Sequence, residues 1–119
     1  MGEIVRISIV EIVGSGICVS SDDGQKIYDA VAAALESDRV VEISFQGIED
    51  LTSAFLNVAI GQLYGGFSEE SIKARVKITE IAPEDLQTLK RTVDRAKEYF
   101  RDPERFHAAA REVLGSDDE

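Results

Sequence analysis

The sequence predicts a single α/β domain with a mixed sheet of about four strands, packed by three to four helices. The chain has 119 residues, a length that suits one domain. Hydrophobic residues make up 44% of the chain and charged residues 30%, an ordinary balance for a globular protein. Segments with apolar residues at every second position alternate along the chain with segments that have helical apolar spacing. This alternation is typical of α/β architecture.

Charge and cysteine content narrow the cellular setting and the partners. The net charge of −10 argues against non-specific binding to nucleic acid or to an anionic membrane, so neither partner is expected. The one cysteine, Cys18, allows no internal disulfide. No apolar run approaches the roughly 18 residues of a membrane span, and the N-terminus lacks the pattern of a signal peptide. We therefore expect a cytoplasmic protein.

The first part of the chain predicts two strands and a helix. Residues 4–13 alternate on period two and are rich in β-branched side chains, which favours a strand. Gly14-Ser15-Gly16 is a turn, and residues 17–19 are a candidate second strand that forms a hairpin with the first. Residues 20–25 suit the N-cap and first turn of a helix. The apolar stripe of that helix contains Ile27, Val31 and Leu35.

The middle of the chain predicts a buried strand, a loop and an apolar helix. Residues 40–45 are almost continuously apolar, as in a central strand of a parallel sheet. A loop follows, and Thr52 is a good N-cap for a helix over residues 53–64. That helix is apolar on nearly all sides, so we expect another helix or a partner to cover the face that the sheet does not. Gly65-Gly66 ends it, with glycine in a left-handed conformation.

The last part of the chain predicts a polar connection, an edge strand and two helices. Residues 67–73 form the connection, for which a short turn of helix is an open alternative, and residues 74–81 alternate as a strand with one exposed face. Pro83 begins a helix whose apolar stripe contains Leu86, Leu89, Val93, Ala96 and Phe100. A final helix carries Phe106, Ala109, Ala110, Val113 and Leu114. We predict one domain over residues 1–114 and a disordered acidic tail over residues 115–119.

Basic side chains gather along the later helices. They are Lys90, Arg91, Arg95, Lys97, Arg101 and Arg105. Alternating acidic residues partly neutralise them, which predicts a solvated face with ion pairs. The alternative is a docking face for an acidic partner.

No catalytic constellation is visible in the sequence. His107 is the one histidine, and metal binding is not expected because no second histidine or nearby cysteine accompanies it. Cys18 has apolar neighbours, which favours a buried and unreactive thiol. The carboxylates show no recognisable acid/base spacing. We therefore predict a protein that is not an enzyme and that carries no cofactor.

The middle of the chain resembles the central motif of STAS domains, the sulfate-transporter and anti-sigma-antagonist family. That motif is a strand, a glycine-containing loop, and a small hydroxyl pair that opens a helix. It stands here as Ile43-Ser44-Phe45-Gln46-Gly47-Ile48, followed by Leu51-Thr52-Ser53-Ala54-Phe55-Leu56. Together with Ser20-Ser21, residues 45–56 are also similar to bacterial STAS-like domains of unknown function. The resemblance covers residues 4–100 and implies the STAS-like α/β fold.

The resemblance also implies a function in signalling regulation, through binding to a protein partner of the histidine-kinase-like ATPase class. In anti-sigma antagonists the helix-opening serine accepts a phosphate that switches binding off, and the matching position is Ser53. This chain departs from the family pattern, since the usual aspartates stand here as Thr52 and Ser44. In addition, Glu49 and Asp50 would repel a phosphate on Ser53 unless they turn away.

The predicted interface is the loop over residues 46–52 and the exposed side of the following helix. Its partner-binding residues are Gly47, Glu49, Asp50, Thr52, Ser53 and Asn57, with Ser53 as the candidate phosphoacceptor. In the alternative interpretation, Thr52 and Ser53 only cap the helix. The rival function is a small-molecule or nucleotide-binding domain that uses Gly14-Ser15-Gly16 and the loop over residues 46–53. The oligomeric state stays open.

Overall fold

The computed structural model describes residues 3–101. Its elements are β1 (Ile4–Ser8), α1 (Ile9–Val13), β2 (Ile17–Cys18), α2 (Ser21–Glu36), β3 (Val40–Ser44), β4 (Asp50–Leu51), α3 (Ser53–Leu56), a π-helical turn (Asn57–Gly61), α4 (Leu63–Gly66), α5 (Glu69–Arg75), β5 (Val76–Thr79) and α6 (Pro83–Arg101). None of the helices in this range is long and apolar enough to cross a membrane. The predicted last helix, His107 and the acidic tail lie outside the described residues.

The strands form two separate parallel ladders. The main sheet has three strands in the order β1-β3-β5, so β3 is central and β5 lies at an edge, as predicted. β2 pairs with β4 in a ladder of its own, with Ile17 opposite Asp50. The expectation of one mixed sheet of about four strands is therefore wrong, and so is the hairpin between the first two strands. The α/β class itself is confirmed.

The hairpin fails because a short helix separates the two strands. Strand β1 stops at Ser8, whose hydroxyl accepts a hydrogen bond from the Glu11 N–H at 3.2 Å and so caps α1. Gly14 ends this helix with a φ of 87°, a left-handed conformation that favours glycine. The Ser-x-x-Glu spacing of Ser8 and Glu11 is a sequence cue for a helix start. The β-branched composition of residues 9–13 obscures that cue.

The apolar helix after the loop contains a π-helical turn. The Gln62 N–H donates to the Asn57 carbonyl at 3.0 Å, which is the wider i to i+5 pattern. α4 ends at Gly66, but neither Gly65 nor Gly66 has a positive φ, so the predicted left-handed ending is wrong. Close packing, rather than backbone conformation, explains the glycine at position 65. A Cβ atom added there would lie 2.6 Å from Cε1 of Phe100.

The predicted polar connection before β5 is mostly helical. Ser68 caps α5 by accepting a hydrogen bond from the Ser71 N–H at 3.1 Å. The strand consequently begins at Val76 rather than at residue 74. Arg75 ends the helix, and its guanidinium donates to the carbonyls of Leu35 and Arg39. These bonds tie α5 to the connection between α2 and β3.

The core lies between one apolar face of the main sheet and the helices packed on it. Val41 and Ile43 of β3 are fully buried, as are Ile27 and Val31 of α2. The helical segment with the π-helical turn contacts both α2 and α6. The sequence predicted that either another helix or a partner covers this segment, and the structure shows helices there. The predicted stripe of α6 is buried at Leu89 and Ala96, whereas Leu86 and Phe100 each keep 36% of their surface.

Candidate functional site

The predicted interface begins where β3 leaves the sheet. The Phe45 N–H donates to the Thr79 carbonyl at 3.0 Å, and the Gln46 N–H donates to the Ser44 hydroxyl at 3.2 Å. Gly47 then turns the chain with a φ of 87°. The turn leaves Gly47, Glu49 and Asp50 exposed at the carboxyl end of the central strand. Three of the six predicted partner-binding residues are therefore exposed on one loop.

The loop is held by the turn that follows α1. The Gly16 carbonyl accepts hydrogen bonds from the N–H groups of Glu49 and Asp50, at 2.8 and 3.1 Å. A Cβ atom at Gly16 would lie 2.5 Å from the Gly47 carbonyl oxygen, so only glycine allows this approach. The structure thus brings together the two segments of the rival nucleotide-binding hypothesis. These loop amides, however, bond to Gly16 and are not free to bind a phosphate.

Thr52 and Ser53 have different structural environments. The Thr52 hydroxyl accepts from the Phe55 N–H at 3.2 Å and donates to the Val19 carbonyl at 3.0 Å. It caps α3 and ties the loop to the chain after β2. Ser53 is the first residue of α3 and is exposed. Thr52 alone therefore supplies the capping side chain, and the Ser53 hydroxyl is not needed for that task.

Ser53 lies in a cleft that also contains a cation. The cleft has a volume of about 290 Å³ and is lined by Ser53, Ala54, Asn57, Thr92 and Arg95. Glu49 and Asp50, which raised the electrostatic objection to a phosphate, do not line it. The charge of Asp50 instead helps to raise the pKa of Asp85. Burial of Asp85 raises this pKa most, followed by the charge of Glu84 and then that of Asp50. Among the described residues that line this cleft with Ser53, the charged one is Arg95.

A second cleft lies next to the first, and residues of α6 line both. It has a volume of about 330 Å³ and is lined by Asn57, Gly61, Gln62, Arg95, Ala96, Tyr99 and Phe100. Asn57 and Arg95 line both clefts, and we call the two neighbouring clefts together the α6 groove. The sequence placed Asn57 in the predicted interface and Arg95 in a basic run, with a docking face for an acidic partner as the alternative interpretation of that run. The pairing of Arg95 with Ser53 depends on how α6 packs, so no local sequence pattern indicates it.

The open face of the main sheet carries a polar network that the sequence did not predict. Arg6 forms ion pairs with Glu42 and with Glu80, the latter at 2.6 Å. Ser44 is fully buried, and its hydroxyl donates to Glu80 at 2.6 Å. The hydrogen bond from Ser44, and then that from Arg6, lowers the pKa of the Glu80 carboxyl. Glu80 itself has a φ of 58°. The network is paired internally, so its evident task is structural.

The remaining candidate groups of the sequence are buried or lie elsewhere. Cys18 is fully buried, and burial raises the pKa of its thiol, which suits the expected unreactive side chain. Within residues 3–101, no three His, Cys, Asp or Glu side chains come together to hold a metal ion. A third cleft of about 540 Å³ lies between α5, β5 and α6. Its floor is apolar, and Lys97 on its rim lies 5.9 Å from the centre of the Tyr64 ring.

Comparison with known proteins agrees with this α/β fold. Residues 23–86 match the family described as STAS-like domain of unknown function. The match spans more than half of the chain, and the chain belongs to that family. It runs from α2 into α6 and includes all six predicted partner-binding residues. No curated protein and no solved structure matches the chain.

Proposed function

We propose that this STAS-like domain is a regulatory module that binds another protein and catalyses no reaction itself. Its interface is the loop over residues 46–52 together with the exposed start of the following helix. One observation carries the proposal: the loop is exposed, yet hydrogen bonds to neighbouring segments hold it, from Glu49 and Asp50 in its middle to Gly16 and from Thr52 at its end to Val19. A preorganised loop loses little conformational entropy on binding, which leaves more of the contact energy for affinity.

We further propose that Ser53 is the phosphoacceptor that switches binding off. A protein kinase of the histidine-kinase-like ATPase class binds the loop. The Ser53 Oγ attacks the γ-phosphorus of ATP, the bond to the β-phosphate oxygen breaks, ADP leaves, and the hydroxyl proton passes to a base of the kinase. Two observations support this proposal: Ser53 is exposed and makes no capping bond, and Arg95 lines the same cleft. Arginine and phosphate form strong, charge-assisted hydrogen bonds.

Site-specific photo-crosslinking tests the interface. We expect benzoylphenylalanine at position 49 to capture one partner protein, because Glu49 is exposed on the proposed interface. The matched control is the same residue at Glu36, which is exposed at the far end of α2. That helix has 16 residues and so is about 24 Å long. Captured proteins are identified by mass spectrometry. Identical products from both positions, or none from position 49, would contradict the proposed interface.

Titration of the purified partner tests the switch. We expect Ser53→Asp to weaken binding about tenfold or more, since it adds a negative charge at the interface, and Ser53→Ala to leave the affinity unchanged. Ser37→Asp adds the same charge after the far end of α2 and should have no effect. Isothermal titration calorimetry gives the three dissociation constants. Equal affinities of the Ser53 variants would remove the switch and leave the interface in place.

A further inference from the structure

We propose that the α6 groove is the docking site for a segment of the partner that carries a carboxylate and a neighbouring apolar side chain. The carboxylate binds Arg95, and the apolar side chain packs against Phe100. This inference rests on the proposed function, since it names the chemistry by which the partner is recognised. It also extends the interface beyond the loop, onto a helix that the predicted binding residues do not include.

The shape of the groove comes from small residues between two helices. Gly61 of the π-helical turn faces α6, and a Cβ atom added there would lie 3.0 Å from Oδ1 of Asn57 and 3.5 Å from Cβ of Ala96. These small side chains form the floor, while Asn57 and Arg95 stand where the two clefts meet. The two clefts, of about 330 and 290 Å³, offer separate places for two neighbouring side chains of one segment.

The charge of the groove selects an acidic partner. Among residues 3–101, those that line it include one cation, Arg95, and no carboxylate, although the chain as a whole has a net charge of −10. Within residues 3–101, Arg95 forms no ion pair. Of the neighbouring acids of α6, Asp94 contributes to raising the pKa of Tyr64, after its burial and Glu69, and Glu98 contributes to raising the pKa of Arg101. Arg95 is therefore available for a carboxylate of another molecule.

The far end of the groove is aromatic. Phe100 keeps 36% of its surface exposed and packs edge-on against Tyr99, with ring centres 4.9 Å apart. Gly65 lets the Phe100 ring lie against the facing helix, since a Cβ atom there would overlap with it. Arginine, tyrosine and phenylalanine are enriched in the energetically important parts of protein interfaces. An apolar side chain of the partner would bury the exposed part of Phe100.

The groove also gives the phosphorylation of Ser53 a physical consequence. Ser53 and Arg95 line the same cleft. A phosphate on Ser53 would therefore compete with the carboxylate of the partner for the guanidinium of Arg95. It would also place a second negative charge in the path of an acidic segment. Loss of binding after phosphorylation then needs no change in the fold.

A random dodecapeptide phage library, selected on the full chain, tests the groove without knowledge of the natural partner. We expect enrichment of peptides that combine Asp or Glu with an aromatic or aliphatic residue. A synthetic peptide of the most enriched sequence should bind the Arg95→Glu and Ser53→Asp variants about tenfold more weakly than the unaltered chain. Phe100→Ala should also weaken binding. Fluorescence anisotropy gives the affinities, and circular dichroism checks that each variant is folded.

Arg91→Glu is the matched control, because Arg91 is exposed on α6 and does not line the groove. Its affinity for the peptide should equal that of the unaltered chain. The inference is overturned by no enrichment, by enriched peptides without a carboxylate, or by equal affinities of the Arg91→Glu and Arg95→Glu variants. If a partner captured at position 49 binds the Arg95→Glu variant as tightly as the unaltered chain, the groove is not its docking site, but the proposed function stands. If peptides bind the groove but crosslinking at position 49 captures no partner, the proposed function is contradicted.

Discussion

Ser44 is the residue that most changes in meaning once the structure is known. In the sequence it is a departure from the aspartate of the family pattern. In the structure it is fully buried, and its hydroxyl connects the end of β3 to Glu80 and to the Gln46 N–H. The carboxylate in this region thus comes from Glu80, which follows β5. A serine suits this position because one hydroxyl both donates to the carboxylate and accepts from the loop.

Replacing Ser44 by alanine tests this connection. We expect Ser44→Ala to reduce the free energy of unfolding by about 1 kcal/mol, the usual net effect of losing such a hydrogen bond. The pKa of Glu80 should rise toward its ordinary value, because the bond from Ser44 is the largest cause of its lowering. Urea denaturation measures the stability, and a carboxyl NMR titration measures the pKa.

Ser8→Ala is the control for that experiment. Ser8 is the register partner of Ser44 on the neighbouring strand, but its hydroxyl caps α1. We expect this variant to lower the stability by a similar amount, about 1 kcal/mol, through loss of the cap. The pKa of Glu80 should stay where it is. A Glu80 pKa that does not respond to Ser44→Ala would contradict the assigned network.

At the scale of elements, close packing against the helix with the π-helical turn positions the site. Gly24 of α2 is buried, and a Cβ atom there would lie 2.7 Å from the Phe55 carbonyl oxygen and 3.1 Å from Cβ of Val58. On the other side, Ala96 of α6 faces Gly61. The sequence indicates the helix and its cap at Thr52. It does not indicate which helices cover it, since that depends on contacts between distant segments.

Substitution of glycines in these helices tests the importance of that packing. We expect Gly24→Ala to lower the free energy of unfolding by about 1–3 kcal/mol, because the added methyl group meets backbone that can move only with its helix. This outcome opposes intrinsic propensity, by which alanine favours a helix by about 1 kcal/mol over glycine. Chemical denaturation measures the difference.

Gly66→Ala is the matched control for Gly24→Ala. A Cβ atom at Gly66 would lie 3.7 Å from the Tyr28 hydroxyl, an ordinary contact distance. We expect this variant to be as stable as the unaltered chain or slightly more stable. If Gly24→Ala proved equally harmless, α2 would not pack as closely on Phe55 as the structure has it.

At the scale of the whole molecule, folding lowers the pKa of some carboxyl groups and raises the pKa of another. The hydrogen bond from Arg101 lowers the pKa of Glu69, and that from Ser44 lowers the pKa of Glu80. Burial, with Glu84 and Asp50, raises the pKa of Asp85. A lowered pKa adds stability above the ordinary carboxyl range, and this stability is lost as the pH falls through the lowered value. A raised pKa adds stability at low pH that is lost as the pH rises.

These shifts predict how the stability depends on pH. Between neutral pH and about pH 3, the free energy of unfolding should fall, because the paired Glu69 and Glu80 must be protonated. Glu80→Gln should make this fall shallower. Asp85→Asn should raise the stability at neutral pH and make the fall steeper. The raised pKa of Asp85 makes the stability increase as the pH falls, and this variant removes that contribution. Urea denaturation across the pH range checks the three curves. Parallel curves for all three proteins would contradict the shifts.

The sequence by itself determined the α/β class, the central position of β3, the cap at Thr52 and the exposed loop after β3. Each of these depends on local composition or spacing, so residues close in the chain suffice to predict them. The tertiary structure alone decided that β2 pairs with β4, that Ser44 meets Glu80, and that Arg95 lies beside Ser53. These arrangements bring together residues between 33 and 42 positions apart in sequence, so no local composition or spacing indicates them.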